Sequence, residues 1–275
     1  MVNAYFRPKS AQEALGLLAT EENAVLLAGG TYLLTSQFAD SPMSVIAITG
    51  LVPKAIERHG DKIIIGAGAT FQEIADSSLL PEALREAALC MADRNIRNRA
   101  TIGGNIGANK SCSSLIPFIL VAEARYSRVG APAILASEWE AAAAAASAAE
   151  RGFIAAMEFE ASSSRRFAYG RYARTSCDVS VLTCAVSAEL VAASQGGPSL
   201  RGLRIAMGGL SPHARRFPEI ERLFEASSLS AKAEIEAAAA PLFSPKSDVR
   251  GSADFKRLRA AALLADVLAS LEAQP

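Results

Sequence analysis

The sequence predicts an α+β fold made of two domains, and three features of the chain support this prediction. The chain has 275 residues, which is long for one compact domain and comfortable for two. Short strand patterns alternate with helix patterns over roughly the first 120 residues. The C-terminal part combines a predicted strand pair with a long amphipathic helix, so we expect it to form a second hydrophobic core.

Local signals place the elements of the N-terminal half. Two capping boxes, Ser10-Ala11-Gln12-Glu13 and Thr70-Phe71-Gln72-Glu73, each predict the start of a helix. A further helix is expected to begin at Pro81 and to run through Cys90, because proline fits the first helical position. Three short apolar runs have the pattern of buried strands, at residues 24–27, 45–48 and 62–65.

The middle of the chain contains the predicted boundary between the domains. Residues 141–149 are rich in alanine and fit either a surface helix or a poorly ordered excursion, and the sequence leaves both open. Residues 152–159 have a strand pattern, and the polar segment Ser162-Ser163-Ser164-Arg165-Arg166 follows them. We therefore expect a first domain at residues 1–162 and a second at residues 163–275.

The second domain is predicted to contain a hairpin and a long helix. Residues 179–191 and 200–207 have strand patterns, with Gln195-Gly196-Gly197-Pro198 as the turn between them. Residues 253–271 have the pattern of an amphipathic helix, with Ser252 as its N-cap. This combination is α+β.

Composition excludes several classes of function. Basic and acidic residues both number 28, so the chain lacks the surplus of cations that binding to nucleic acid requires. Four cysteines without a CxxC pair and two distant histidines predict inert thiols, no metal site, no iron–sulfur cluster and no histidine-based triad. We find no signal-peptide pattern and no apolar run of about 20 residues, and we expect a soluble, cytoplasmic protein.

Two glycine segments are the candidate binding features. They are Leu27-Ala28-Gly29-Gly30-Thr31-Tyr32-Leu33 and Thr101-Ile102-Gly103-Gly104-Asn105, and we interpret both as turns. Paired glycines let successive backbone N–H groups converge on an anion, and they have no Cβ to keep a phosphate away. The hydroxyls of Thr31 and Thr101 and the amide of Asn105 add side-chain donors. The residues therefore predict a cradle for one diphosphate, with the ligand left open.

Two known nucleotide sites do not fit the sequence. Gly66-Ala67-Gly68-Ala69-Thr70-Phe71 lacks the third glycine of the dinucleotide fingerprint. The chain also contains no Gly-Lys-Ser or Gly-Lys-Thr for a P-loop.

The order of the motifs resembles the FAD-binding subunit of molybdenum hydroxylases, the family of xanthine dehydrogenase and carbon monoxide dehydrogenase. The segment Arg97-Asn98-Arg99-Ala100-Thr101-Ile102-Gly103-Gly104-Asn105 is the most specific part of the resemblance. The likeness spans nearly the whole chain. It also includes these segments: Tyr5-Phe6-Arg7-Pro8, Ala28-Gly29-Gly30-Thr31, Ile65-Gly66-Ala67, residues 174–181, 206–212 and 247–252.

The resemblance implies a fold and a set of cofactor residues. The implied fold is that of the vanillyl-alcohol-oxidase (PCMH) type, with two α/β subdomains divided near residue 55. A C-terminal α+β domain with a small antiparallel sheet and helices follows them. The implied FAD pyrophosphate residues are Leu27, Ala28, Gly29, Gly30, Thr31, Leu33, Thr101, Gly103, Gly104 and Asn105. By the same resemblance, the backbone of Ile154 lies near the flavin ring and Tyr169 covers one flavin face.

Several positions depart from the family pattern. Ser114 stands where relatives commonly have an aspartate that holds the ribityl hydroxyls of FAD. Tyr32 replaces a frequent aspartate or small residue, and Gly170 replaces a lysine found near the flavin in some relatives. Lys110 is a candidate cation near the cofactor phosphates or, alternatively, an exposed loop lysine.

The resemblance also implies a role in electron transfer. A molybdopterin subunit hydroxylates a substrate, for which a purine such as xanthine is our expectation, and an iron–sulfur subunit passes the electrons to this FAD. The FAD then reduces NAD or another acceptor, and the chain alone lacks a catalytic acid–base pair. Two alternatives are a non-catalytic assembly module with a weak or empty FAD site and a stand-alone flavin oxidase.

Overall fold

The computed structural model describes residues 2–35, 38, 40–191, 199–226 and 231–274. The predicted turn at residues 195–198 lies outside these residues. Within the described ranges, the helices and strands form three sheets and two hydrophobic cores.

The first sheet is parallel and lies at the N-terminus. It consists of β1 (Val2–Phe6), β2 (Ala24–Leu27) and β3 (Met43–Ala47), in the order β1-β3-β2. Helix α1 (Ala11–Thr20) connects the first two strands and buries Ala14 and Leu18. This helix-linked parallel arrangement gives the first part of the chain its α/β character.

The second sheet is antiparallel. Its strands are β4 (Ile56–His59), β5 (Lys62–Gly66), β6 (Arg125–Val129), β7 (Ile134–Leu135) and β8 (Phe153–Glu160), in the order β4-β5-β8-β6-β7. Strand β8 therefore lies at the centre, and it is closely paired on both sides.

A series of helices connects β5 to β6 and β7 to β8. They are α2 (Phe71–Asp76), α3 (Glu82–Leu89), α4 (Arg94–Arg97), α5 (Ile102–Ala108), α6 (Ile116–Val121), α7 (Trp139–Ala145) and α8 (Ala148–Arg151). Helix α6 is apolar at every position and completely buried, so it lies inside the molecule rather than on its surface.

The third sheet is antiparallel and belongs to the C-terminal part. It consists of β9 (Arg165–Tyr172), β10 (Leu182–Val191), β11 (Ser199–Gly208) and β12 (Arg215–Arg216), in the order β12-β11-β10-β9. Helices α9 (Pro218–Ala226), α10 (Lys232–Ala239) and α11 (Ala253–Glu272) follow, and α11 packs on β9 and β10.

This third sheet joins the two cores because its strands alternate their side chains between its faces. On β9, Phe167 and Tyr169 belong to the first core, whereas Ala168 belongs to the second. On β10, Ala185 faces the first core and Val186 the second. One face of the sheet therefore covers α6 and the N-terminal part, and the other face covers α11.

Most of the locally signalled elements are confirmed. The three apolar runs form β2, β3 and β5, residues 152–159 correspond to β8, and the hairpin is β10 paired with β11. Ser252 is the N-cap of α11, and its Oγ accepts from Phe255 N. The alanine-rich stretch forms helices α7 and α8 rather than an irregular excursion.

Other expectations are corrected. The capping box at Ser10 is only half formed, because Glu13 accepts from Lys9 N instead of Ser10 N. Pro81 precedes α3 as its N-cap residue rather than its first residue. The alternation of strand and helix is wrong, because α2 to α6 follow one another without a strand among the described residues. The segment at residues 162–166 runs into β9, a strand that the polar side chains of Arg165 and Arg166 concealed.

In the part of the chain that the structure describes, no helix combines the length and apolar character needed to cross a membrane.

Candidate functional site

The first glycine segment directly follows β2 and presents free backbone donors. Gly30 has a φ of +75°, a conformation that suits glycine. Leu34 N donates to Gly30 O at 3.1 Å, which closes a single turn. Within the described residues, the N–H groups of Gly29, Gly30, Thr31, Tyr32 and Leu33 have no hydrogen-bond acceptor. Such a run of free N–H groups at a strand end is a nest for an anion.

The second glycine segment is different from the predicted turn. Thr101 is the N-cap of α5, and its Oγ1 accepts from Gly104 N at 3.1 Å. Ile102 N and Gly103 N donate to Ala69 O and Ala67 O, both at 2.9 Å. Asn105 N donates to Thr101 O at 3.0 Å. From Ile102 to Asn105 this segment is therefore a helix start whose backbone N–H groups already have acceptors within the protein.

The two segments touch each other at Gly29. A Cβ at this position would lie 1.8 Å from Arg99 O, so only glycine permits the contact. Arg99 Nε also donates to Gly29 O at 3.3 Å. The second segment is fixed in turn against the Gly66 to Gly68 stretch, since a Cβ at Gly103 would lie 2.8 Å from Ala67 Cβ. Glycine thus permits close packing at Gly103 in the second segment, and in the first it permits close packing at Gly29 and the positive φ of Gly30.

A cleft of about 240 Å³ opens where the segments meet. Among the described residues, Lys54 and Arg99 are the charged ones that line it, and no acidic residue does. The other lining residues are Ala28, Gly29, Thr49, Val52, Gly68, Thr70, Asn98 and Thr101. Two cations, hydroxyl groups and free N–H groups together match the charge and the acceptors of a diphosphate.

Sequence reasoning missed Lys54, Thr49 and Thr70 as candidates for this site. The sequence around Thr70 indicates only a helix cap, a role that Thr70 also has, because its Oγ1 accepts from Glu73 N. The positions of Lys54 and Thr49 depend on how β3 and β4 are placed beside the glycine segments, for which the local sequence contains no signal.

The loop after α5 contains Ser113, which forms a hydrogen bond with Asn105, and the candidate ligand residue Ser114. Ser113 Oγ donates to Asn105 Oδ1 at 2.6 Å, which orients the amide. Ser114 is 4% exposed, and its buried Oγ has no hydrogen-bond partner in the described part of the chain. An unpaired buried hydroxyl is costly, so Ser114 is an available partner for a ligand hydroxyl.

The two residues implied to lie near the flavin are in different environments. Ile154 is on β8 beside Ala155, whose carbonyl accepts from Ala67 N at 2.9 Å, so its backbone is next to the glycine-rich stretch. Tyr169 is packed in the first core. Burial raises the pKa of its hydroxyl well above the usual value, and this hydroxyl has no partner among the described residues.

The departures from the family pattern have visible structural consequences. Lys110 Nζ lies 4.4 Å from the centroid of the Tyr32 ring, so one of these departures contacts the candidate cation of the loop after α5. Gly170 faces α11, where an added Cβ would lie 2.6 Å from Val267 Cγ2, and a lysine does not fit there without a shift. Burial raises the pKa of the Cys90 and Cys184 thiols, which disfavours the reactive thiolates. The described residues also include no group of three or more histidine, cysteine or acidic side chains suited to a metal ion.

The fold and the site define a two-domain α+β protein with a turn of free backbone N–H groups at the end of a parallel strand. A family model described as the FAD binding domain in molybdopterin dehydrogenase matches residues 1–143, more than half of the chain. A second, the CO dehydrogenase flavoprotein C-terminal domain, matches residues 167–271. The chain therefore belongs to the family of FAD-binding medium subunits of molybdenum hydroxylases, and its cofactor is FAD.

Individual relatives cover the chain almost completely. The nicotine 6-hydroxylase medium subunit of Paenarthrobacter nicotinovorans is 30% identical over 266 residues, which are 92% of this chain and 91% of the relative. The protein YgfM of Escherichia coli K12 is 27% identical over 273 residues, which are 99% of this chain and 97% of YgfM.

Solved structures share the fold. Carbon monoxide dehydrogenase from Hydrogenophaga pseudoflava, in a form lacking the Mo-pyranopterin moiety, superposes with a TM-score of 0.83 at 27% identity. That match covers 98% of this chain and 96% of the other. Quinoline 2-oxidoreductase from Pseudomonas putida 86 superposes with a TM-score of 0.82 at 18% identity, which shows the common fold alone.

Proposed function

We propose that this chain is the electron-transfer subunit of a multi-subunit molybdenum hydroxylase, in which it holds FAD between an iron–sulfur subunit and an electron acceptor. The observation that carries the proposal is the run of free N–H groups from Gly29 to Leu33 beside a cleft lined by Lys54 and Arg99. An anion with several acceptor atoms satisfies these donors, and the diphosphate of FAD is such an anion.

In this proposal the two glycine segments have separate tasks. The first, from Leu27 to Leu33, supplies N–H groups and the Thr31 hydroxyl to the diphosphate. The second, with Thr101, Gly103 and Gly104, shapes the wall of the site, because the N–H groups from Ile102 to Asn105 have protein acceptors. Asn105 Oδ1 is already bonded to Ser113, which leaves the amide N–H groups of Asn105 to donate to the cofactor in this proposal.

Further residues are assigned to the rest of the cofactor. Ser114 is assigned to a ribityl hydroxyl, on the support of its unpaired buried Oγ. Ile154 and Tyr169 are assigned to the flavin end. Bound FAD supplies the capacity to exchange one or two electrons, and the protein supplies binding, orientation and exclusion of water.

In this proposal two partner subunits carry the iron–sulfur clusters and the molybdopterin. The sequence of this chain, which has no cluster-spaced cysteines, is consistent with that division. We propose NAD or another small oxidant as acceptor. For the substrate we propose a nitrogen heterocycle such as a purine, and the relative named nicotine 6-hydroxylase supports the heterocycle class. The proposed domains are residues 1–162, divided near residue 55, and 163–275.

Purification of the chain alone tests the proposal. The expected protein is yellow, releases FAD on heating or acid treatment, and passes electrons from reduced FAD to an artificial dye. It is expected to hydroxylate neither purines nor aldehydes until the partner subunits are added. A colourless protein that takes up no added FAD would support an assembly module, whereas substrate turnover by the chain alone, free of molybdenum and iron, would support a stand-alone oxidase. Either result contradicts the proposal.

A further inference from the structure

The turn at residues 29–33, whose backbone N–H groups are free, is called the free-donor turn below. Tyr32 and Lys110 connect this turn with the loop after α5. Lys110 Nζ lies 4.4 Å from the centroid of the Tyr32 ring, within the range of a cation–π contact. The ring also packs edge-to-face with Phe38, at a centroid distance of 5.2 Å. The backbone of Tyr32 is held by Thr35, whose Oγ1 donates to Tyr32 O at 2.8 Å. Tyr32 therefore has a defined orientation within the run of free N–H groups.

The loop that carries Lys110 is anchored to the C-terminal part of the chain. His213 Nδ1 donates to Asn109 O at 2.7 Å, on one side of Lys110. Gly209 N donates to Ser111 O at 2.8 Å, on the other side. The backbone on both sides of Lys110 is thus fixed by the β11–β12 connection, and the lysine side chain extends from this fixed loop to the turn.

We propose that Lys110 is a positioning residue for FAD. Through the Tyr32 ring it holds residues 29–33 in the conformation that directs their N–H groups towards the cofactor diphosphate. The C-terminal domain thereby supports the affinity of a site built in the N-terminal domain. This inference rests on the proposed diphosphate site, but it assigns Lys110 an action on the protein rather than a direct contact with phosphate.

The ring contact explains why a positioning role fits better than a phosphate contact. The ammonium group lies over the face of Tyr32, where the ring quadrupole attracts it. A turn with a glycine at positive φ has many alternative conformations, so a contact that selects one of them increases affinity for the ligand. An exposed cation–π pair contributes roughly 1 kcal/mol, which corresponds to a change of about fivefold in the affinity for FAD.

Titration of the full chain with FAD, followed by flavin fluorescence, tests the proposal as a double-mutant cycle. Lys110→Met removes the charge and keeps the aliphatic stem, and it is expected to weaken FAD binding about fivefold. Tyr32→Phe keeps the aromatic face and is expected to bind like the wild type. Tyr32→Leu removes the face, and in this background Lys110→Met is expected to have no further effect.

A matched control is available in the C-terminal part. Arg259 lies over the Tyr172 ring at the same 4.4 Å distance, so Arg259→Met removes an equivalent contact outside the site. Arg259→Met is expected to leave FAD affinity unchanged. In the FAD-free state, the melting temperature of Lys110→Met is expected to match that of Arg259→Met. An undiminished effect of Lys110→Met in the Tyr32→Leu background would show direct contact with the cofactor and overturn the positioning role. An unchanged affinity of Lys110→Met would also overturn it. Failure of the wild type to bind FAD would instead overturn the proposed function.

Discussion

The contact between the two glycine segments can be broken by one methyl group. In Gly29→Ala the new Cβ would lie 1.8 Å from Arg99 O and 2.7 Å from Arg99 C. Both are backbone atoms, so no side-chain rotation relieves the clash. The segments must move apart until the distance approaches an ordinary contact of 3.4 Å, and this movement also breaks the 3.3 Å hydrogen bond from Arg99 Nε to Gly29 O.

The expected loss concerns both stability and cofactor affinity. Overpacking of a close contact costs typically about 1–3 kcal/mol, so the free energy of unfolding should fall by roughly 2 kcal/mol. Separation of the segments also displaces the free N–H groups from the cleft wall that carries Lys54 and Arg99. A loss of about 1.4 kcal/mol or more in binding corresponds to at least tenfold weaker FAD affinity.

Urea unfolding of the FAD-free chain and fluorescence titration with FAD measure the two effects. Gly107→Ala is the matched control, since an added Cβ there meets nothing within 4 Å and alanine favours helix α5 by about 1 kcal/mol. This control should leave FAD affinity unchanged. If Gly29→Ala binds FAD within about twofold of the wild type, the close approach of the segments is not what builds the site.

Substitutions at three further positions each test a single feature of the site. Gly30→Val should abolish FAD binding, because a β-branched residue disfavours the observed φ of +75°; full FAD occupancy of the purified variant would refute this. Thr101→Ala should lower the free energy of unfolding by about 1 kcal/mol, because it removes the N-cap hydrogen bond from Gly104 N. Thr101→Ser keeps a hydroxyl that can accept this bond and should not lower it, and urea unfolding distinguishes the two variants. Ser114→Asp should tighten FAD binding about tenfold, because a charge-assisted hydrogen bond to a ribityl hydroxyl is stronger than a neutral one by roughly 1–2 kcal/mol. An unchanged dissociation constant for FAD would place Ser114 away from the ribityl chain.

The elements that the sequence predicted well are those whose signals are local. The capping box at Thr70 and the N-cap at Ser252 are formed as expected, because each depends on residues within one helical turn. Strand β9 was missed for the opposite reason. Its first residues are Arg165 and Arg166, and only pairing with β10 makes this polar segment a strand.

The two glycine segments show where local reasoning about a site ends. Both were predicted as equivalent turns, and the structure makes one a free-donor turn and the other a helix start. The difference is set by Ala67 and Ala69, whose carbonyls accept the N–H groups of Gly103 and Ile102. These acceptors are more than 30 residues away in sequence, and no pattern within the segment itself reports them.

The sequence by itself determined the order of the glycine segments, the family to which they belong and most of the regular elements, because these depend on short-range residue patterns. Only the tertiary structure decided which N–H groups remain free, which cations line the cleft and that Lys110 meets Tyr32. These features depend on contacts between segments that are distant in the chain, such as Gly29 with Arg99 and Lys110 with Tyr32. The family resemblance therefore gives FAD, and the packing determines how this chain is arranged to hold it.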